Sequence, residues 1–305
     1  MLNIELRPTR CAICGAEGNA AELYPANFDM GAFNPAVFSA RRVPDRIHYR
    51  IVKCAACGLV RSDPAVDPET LASLYSQSTL DYASEIQNLK ATYGRYLARA
   101  AKYRGQKEAL LEIGCGSGFF LEEALAQGYS GVYGVEPSVA AVEKACPAVR
   151  PGISVGVMRR GLFGEEQFDI VCMFQALDHM SDPGALLEEC RRILRPGGVV
   201  LTLNHNIDAF SARILGERSP IIDIEHTFLY GPRTLTRVFE SRGFLVRETG
   251  AVFNRYSLNY LARLLPSPPA LKLALSRSFD AAGIGGCPVS VPLGNMYLIA
   301  MKRKK

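Results

Sequence analysis

The apolar positions of this chain alternate between two periods. Short apolar runs at 110–113, 132–136, 153–157, 168–174 and 199–203 have the length of strands buried on both faces. Between them, residues 119–127, 138–146 and 183–194 repeat apolar residues three and four apart, as helices packed on a sheet do. Strand and helix in alternation predict an α/β fold wound around a parallel sheet. Further on, the pattern gives a helix over 232–243, a strand over 244–253 and a last strand over 295–302. Upstream, Asp67 and Pro68 open a helix by N-cap and proline-at-N1 chemistry, with Leu71, Leu74 and Tyr75 at helical spacing; a second helix spans 85–103.

The run at 110–113 stops in Gly114-Cys115-Gly116-Ser117-Gly118 and passes directly into a helix. Alternate glycines let the backbone take positive φ and approach a ligand at the end of a buried strand, as a nucleotide-type site requires. A dinucleotide fingerprint would need glycine at 119, where this chain has Phe119. From residue 108 to 143 there is no Lys or Arg, while Glu108, Glu112, Glu122, Glu123, Glu136 and Glu143 are acidic, which repels phosphate and suits a cation. Glu136 ends the next strand, where an acid accepts hydrogen bonds from ribose hydroxyls, and Pro137 follows it.

Glu112-x-Gly114-x-Gly116-x-Gly118 resembles the first motif of class I S-adenosylmethionine-dependent methyltransferases. The resemblance implies a Rossmann-like, doubly wound, seven-stranded sheet whose last strand is antiparallel. It also implies S-adenosylmethionine as cofactor, held around its methionine and ribose by Glu112, Gly114, Cys115, Gly116 and Gly118. In such relatives Val157 and Met158 would meet the adenine, and Gln175 and Ala176 would line the cofactor after the fourth strand. Leu194-Arg195-Pro196-Gly197-Gly198 before a strand is similar to a further hallmark, a sharp turn re-entering the sheet. Phe174-Gln175-Ala176-Leu177 stands where methyltransferases of base or amide nitrogens carry Asn-Pro-Pro-aromatic, which points away from that chemistry.

Composition adds a second module. At 305 residues, 48% hydrophobic and 21% charged, the chain can bury one sizeable core and a small extra unit. Cys11-Ala12-Ile13-Cys14-Gly15 and Cys54-Ala55-Ala56-Cys57-Gly58 are matched knuckles, and four thiolates complete a closed tetrahedral Zn²⁺ site of structural type. A redox pair is the other reading of such cysteines. The four-cysteine module, with Gly58-Leu59-Val60 and then Pro64 and a helix containing Leu74-Tyr75, resembles the zinc module on bacterial methyltransferases of sugar, polysaccharide and natural-product pathways. The expected division is therefore a zinc-ribbon-like module over 1–62, a helical connecting or lid segment over 63–108 and the catalytic domain over 109–305, with insertions at about 204–223 and 254–294.

The net charge of +5 owes much to the basic tail at 302–305 and does not argue for nucleic acid. Arg41, Arg42, Arg46, Arg50 and Lys53 between the knuckles keep an RNA methyltransferase as the alternative, and a non-catalytic zinc scaffold as a second. The N-terminus lacks a signal pattern and no run reaches the about 20 apolar residues of a membrane span, so a cytoplasmic location is expected. Leu264, Leu265, Leu271 and Leu273 with Arg263, Lys272 and Arg277 would let the second insertion close a pocket, form a dimer contact, or meet a membrane surface or lipid-linked acceptor.

The acceptor side rests on Glu225-His226, which matches a Glu-His pair in the active site of sugar C-methyltransferases. Histidine has the intrinsic pKa to take a proton from a hydroxyl or activated carbon, and a neighbouring carboxylate can orient it. His226 is the expected base, Glu225 its partner and His179 the second candidate; simple hydrogen bonding within the loop is the competing reading. Tyr75, Tyr82 and Tyr93 are candidates for the pocket or for helix packing. The expected reaction is O- or C-methylation of a sugar, glycan or other small biosynthetic intermediate.

Overall fold

The structure, a computed structural model, describes residues 4–28, 37–38, 46–78, 85–265 and 267–303. Tyr82, Arg41 and Arg42 lie outside the described residues. The N-terminal part contains strands β1 (Leu6–Arg7), β2 (Ala20–Tyr24), β3 (Ile51–Cys54), β4 (Val60–Ser62) and β5 (Ala65–Val66). Strands β2, β3 and β4 form an antiparallel ladder, and β1 pairs with β5. Helix α1 (Pro68–Ser76) begins where Asp67 Oδ1 accepts from the amides of Glu69 and Thr70 at 3.1 and 3.0 Å, the cap the sequence predicts. Helix α2 (Ile86–Ala100) buries Leu89, Tyr93, Tyr96 and Leu97 on one face.

The remaining chain alternates as the hydrophobic periods predict. Its elements are β6 (Ala109–Ile113), α3 (Phe119–Ala126), β7 (Gly131–Glu136), α4 (Val139–Glu143), β8 (Ile153–Val155), β9 (Phe168–Phe174), α5 (Pro183–Ile193) and β10 (Leu194–His205). Then follow α6 (Phe210–Leu215), β11 (Phe228–Leu229), α7 (Pro232–Ser241), β12 (Phe244–Ala251), β13 (Asn254–Ser257), α8 (Leu258–Leu264), α9 (Pro269–Ala281), β14 (Pro288–Val291) and β15 (Asn295–Lys302).

Seven strands make one sheet in the order β12-β15-β10-β9-β6-β7-β8, parallel from β10 to β8, with β15 antiparallel to both its neighbours. This is the Rossmann-like methyltransferase architecture. Both faces are covered: Leu110, Ile170, Cys172 and Leu201 enter one apolar layer, while Leu111, Val171, Met173 and Val200 enter the other. Such strands read as continuous apolar runs because neither face meets water.

Helix α4 stops earlier than the sequence pattern suggests, and β10 starts earlier, with the Arg195–Gly198 turn forming an irregularity in its pairing with β9. The two insertions differ. The first carries α6, and the second is a β13–β14 hairpin holding α8 and α9. No residue of α9 is buried.

The N-terminal sheet is not closed within residues 1–62. Its fourth strand is β11, antiparallel to β4 with Phe228 opposite Arg61 and Leu229 opposite Val60. Cys11, Ala12, Cys54 and Leu59 share an apolar cluster with Phe228, Tyr230 and Leu235. The cysteine module and the catalytic domain are thus packed as one body.

Asp169 ties the amino edge of the sheet. Fully buried, it accepts from the amides of Glu108 and Ala109 at 3.0 and 3.1 Å, from Arg104 Nη2 at 2.7 Å and from Arg195 Nη1 at 3.1 Å. Burial alone would raise its pKa; Arg104, the Ala109 amide and Arg195 outweigh burial and hold it below the usual carboxylate range. Its contribution is therefore fully present above the unfolded pKa of about 3.9 and is lost as pH falls through the lower folded value. Asp169→Ala is expected to lower unfolding free energy by about 3–5 kcal/mol near neutral pH, with the difference shrinking in acid. Denaturant titration of both proteins at several pH values checks this, and equal stabilities at neutral pH would refute it.

Candidate active site

The site is built at the carboxyl ends of the parallel strands. Gly114, Gly116 and Gly118 all have left-handed φ, at 77°, 53° and 71°. The amides of Gly114 and Cys115 both donate to Val135 O at 2.8 and 3.2 Å, which fixes the turn against β7. A Cβ on Gly114 would lie 3.1 Å from Ala176 Cβ, so the turn and the loop after β9 are in close approach. Cys115 is buried with its thiol against Gly134 of β7, where a Cβ would come within 2.5 Å.

Glu136 Oε2 accepts from the Gly116 amide at 2.8 Å and Oε1 from the Ser138 amide at 2.9 Å. One lone pair remains on each oxygen, in the arrangement that ribose hydroxyls require. Glu112 lies behind the turn, buried, with Oε2 unpartnered. Burial, and then the nearby Glu136, push its pKa well above the carboxylate range. A positive charge brought beside this pair would reverse that penalty, and the acid-rich stretch in the sequence carries this meaning.

A cavity of about 960 Å³ opens in front of the turn. Gly114, Pro137, Val157, Met158, His179 and Tyr75 line it. Glu112, Cys115, Gly116, Gly118, Glu136, Gln175 and Ala176 are not on its lining surface; Glu136 and Ala176 touch the glycine turn from behind, as described above. Gln175 has φ of 52°, unusual for a side chain of its size, and its buried Oε1 is unpartnered. The far rim carries Arg159, Arg160, Arg191, Arg192 and Arg242 interleaved with Glu165, Glu188 and Glu189, a charged feature the sequence reading did not single out.

Of the tyrosines, Tyr93 is a core residue, stacked on Phe174 at 4.1 Å and 10°. Tyr75 belongs to the cavity, its hydroxyl 2.8 Å from His179 Nδ1. His179 and His226 have ring centroids 4.8 Å apart, and so do His205 and His226. Three of the chain's four histidines therefore meet, brought by the turn after β9, the end of β10 and the segment before β11.

His226 Nδ1 faces Ile221 O at 2.9 Å, which makes Nδ1 the protonated nitrogen and leaves Nε2 with the lone pair. The carbonyl of Ile221 therefore holds the ring, a role the sequence reading assigned to Glu225. Asp178, 1% exposed, lies among the three imidazoles. Burial would raise its pKa, but the neighbouring His179, His205 and His226 outweigh it and hold it below the usual carboxylate range; burial, acting against Asp178, lowers His179 to about 3. Neither Asp178 nor His205 was a sequence candidate. The available signal was positional: each stands at or just beyond the carboxyl end of a central strand.

The four cysteines of the N-terminal module converge. Cys11 Sγ lies 3.2 Å from Cys57 Sγ and Cys14 Sγ 3.7 Å from Cys54 Sγ, with all four sulfurs within 4.8 Å of one another. The two knuckles repeat one geometry: the Gly15 amide donates to Cys11 O at 2.8 Å and the Gly58 amide to Cys54 O at 2.9 Å, with φ of 71° and 77°.

Residues 82–249 match the family model described as a methyltransferase domain. The chain belongs to that methyltransferase family. The ubiquinone biosynthesis O-methyltransferase of Chelativorans sp. (strain BNC1) is 30% identical over 180 residues, covering 55% of this chain and 70% of that protein. The protein of the same name from Dinoroseobacter shibae is 30% identical over 191 residues, covering 58% and 75%. Among solved structures, YcgJ from Bacillus subtilis is 18% identical, covers 70% of this chain and 99% of its own, and has a TM-score of 0.48.

The methyltransferase is an S-adenosylmethionine-dependent enzyme, and its glycine turn and carboxyl pair fit a cofactor that carries positive charge and no phosphate. Gly114→Val tests the turn. Left-handed φ and the Ala176 contact impose about 1–3 kcal/mol of strain, so S-adenosylmethionine affinity is expected to fall roughly 10- to 100-fold. Calorimetry reads this directly; affinity unchanged in a folded variant would mean the turn does not hold the cofactor.

Proposed function

We propose that this methyltransferase transfers the methyl group to an oxygen of a small biosynthetic intermediate of sugar, glycan or natural-product type. The observation that carries the reading is the histidine cluster that reaches the cavity at His179, with His226 buried directly behind it and its Nε2 carrying the lone pair. The names of the relatives above, O-methyltransferases, favour oxygen over carbon as the reacting atom.

When bound, S-adenosylmethionine supplies an electrophilic methyl on a good leaving group. The protein adds alignment, a dry pocket and removal of the acceptor's proton. Glu136 and the amides around Gly114 to Gly118 would hold the ribose and methionine, with Pro137, Val157 and Met158 at the adenine and Gln175 and Ala176 along the sulfur end. His226 takes the acceptor hydroxyl's proton on Nε2, and ionised Asp178 stabilises the imidazolium that results. Tyr75 and His179 close the wall on the cavity side and orient the acceptor. Glu225, next to the base, is a positioning residue for the acceptor loop.

The cysteine cluster holds a structural Zn²⁺. Four sulfurs within reach of one ion and two glycine-closed knuckles fit a closed tetrahedral site. Through β4 and β11 this site supports the segment carrying His226.

Two outcomes follow. His226→Ala is expected to cut turnover by about 10²–10⁴-fold while S-adenosylmethionine affinity stays within a factor of about two; full activity in that variant would assign the base elsewhere. Metal analysis of the purified chain should find zinc, and Cys14→Ser should lower both zinc content and thermal stability. A metal-free wild type with an undiminished melting temperature would rule out the structural ion.

A further inference from the structure

We propose that Asp178, His179 and His226 form a second metal site, one for a divalent cation of the zinc–cobalt–manganese type. A ligand atom from each of the three lies within 4.8 Å of the others, so small side-chain shifts bring them to a common ion. Two imidazoles and one carboxylate are the donor set that borderline divalent ions select, and three protein donors leave positions open.

The second observation is independent of that spacing. Asp178 is 1% exposed, yet its Oδ2 has no hydrogen-bond partner among the described residues. A buried carboxylate oxygen with nothing to accept from is costly unless a cation completes it. Oδ1 is by contrast engaged, 3.3 Å from Asn204 Nδ2, and Asn204 is itself bonded to the Thr202 hydroxyl.

The outer contacts have the pattern of a metal centre, where each ligating imidazole is held by its other nitrogen. His226 Nδ1 is bound to Ile221 O at 2.9 Å, and His179 Nδ1 lies 2.8 Å from the Tyr75 hydroxyl. The Ile221 carbonyl can only accept, so His226 Nδ1 donates and its Nε2 carries a lone pair, whereas the Tyr75 hydroxyl can donate to or accept from His179 Nδ1. His205 stacks edge-on against His226 and is bound through Nδ1 to Asn295 Oδ1 at 3.0 Å.

Of the three donors His179 lines the cavity, beside Tyr75, so an ion held by the three would lie next to the cavity wall. An acceptor carrying two neighbouring oxygens would chelate there, and its hydroxyl would ionise at a lower pKa. In the loaded protein His226 serves as a ligand; in the unloaded protein it takes the proton itself. The inference goes beyond the base assignment and is read without turnover.

The test is titration of Co²⁺ into the zinc-loaded full chain, followed by absorption spectroscopy. The expected result is a visible ligand-field spectrum without the near-ultraviolet thiolate band that cobalt in the four-cysteine site would give. Asp178→Asn and His226→Gln should each weaken Co²⁺ binding by at least the roughly 10- to 100-fold that loss of an outer partner costs. Melting temperature and S-adenosylmethionine affinity identify the folded variants; if Asp178→Asn does not fold, His226→Gln carries the same expectation. Cobalt seen only with thiolate absorption, or bound equally by wild type and a folded variant, overturns the proposal. Failure to bind S-adenosylmethionine would instead count against the methyltransferase reading and leave this result standing.

Discussion

The acceptor wall depends on one short pairing between distant parts of the chain. The Ser62 amide donates to Thr227 O at 2.9 Å and its hydroxyl to His226 O at 2.9 Å, while the Thr227 amide donates to Asp178 O at 2.9 Å. Three backbone positions around His226 are thereby held between the cysteine module and the loop after β9. An imidazole must be fixed in angle as well as place to act on one oxygen, and rigid elements on both sides provide that. The module thus contributes to the site through β4, and none of its described residues lines the cavity.

The two ends of the site use carboxylates in opposite ways. At the glycine turn, Glu112 and Glu136 are crowded together, and burial and then Glu136 push the Glu112 pKa well above the carboxylate range. In the histidine cluster, Asp178 is held below that range by its imidazole neighbours against the pull of burial. The first arrangement favours an incoming cation, and the second sets a carboxyl among imidazoles. Both reflect the cost of buried charge, which a nearby opposite charge or hydrogen-bond donor offsets.

The parts legible in the sequence are those whose physical requirement is local. Gly114, Gly116 and Gly118 announce themselves because positive φ at short spacing admits few other residues, and the two knuckles do so because ligand pairs share a turn. The doubly wound sheet with an antiparallel last strand was expected from the buried runs and the resemblance together. Asp178 and His205 were not legible: no spacing links them, and they meet only through the β10 register that sets His205 opposite Asn295 and through the Asp178–Thr227 contact. The contact of Ile221 with His226 was not legible for a similar reason, since it is made by a carbonyl that any residue possesses. Tyr93 shows the reverse case, a candidate for the cavity that the stacking of Phe119, Phe120 and Phe174 draws into the core.

The shared strand also bears on the order in which the protein is made. The contact between Ser62 and His226 spans 164 residues, whereas the glycine turn and Glu136 lie 20 apart. Closing long loops is slow because their entropy is lost before the contact forms. Emerging from the ribosome, the cysteine module presents β4 as an open edge until residues 228–229 follow it, an exposure that invites pairing with other chains. The glycine turn and Glu136 can meet early in synthesis, whereas Ser62 and His226 meet only after residue 226 has appeared.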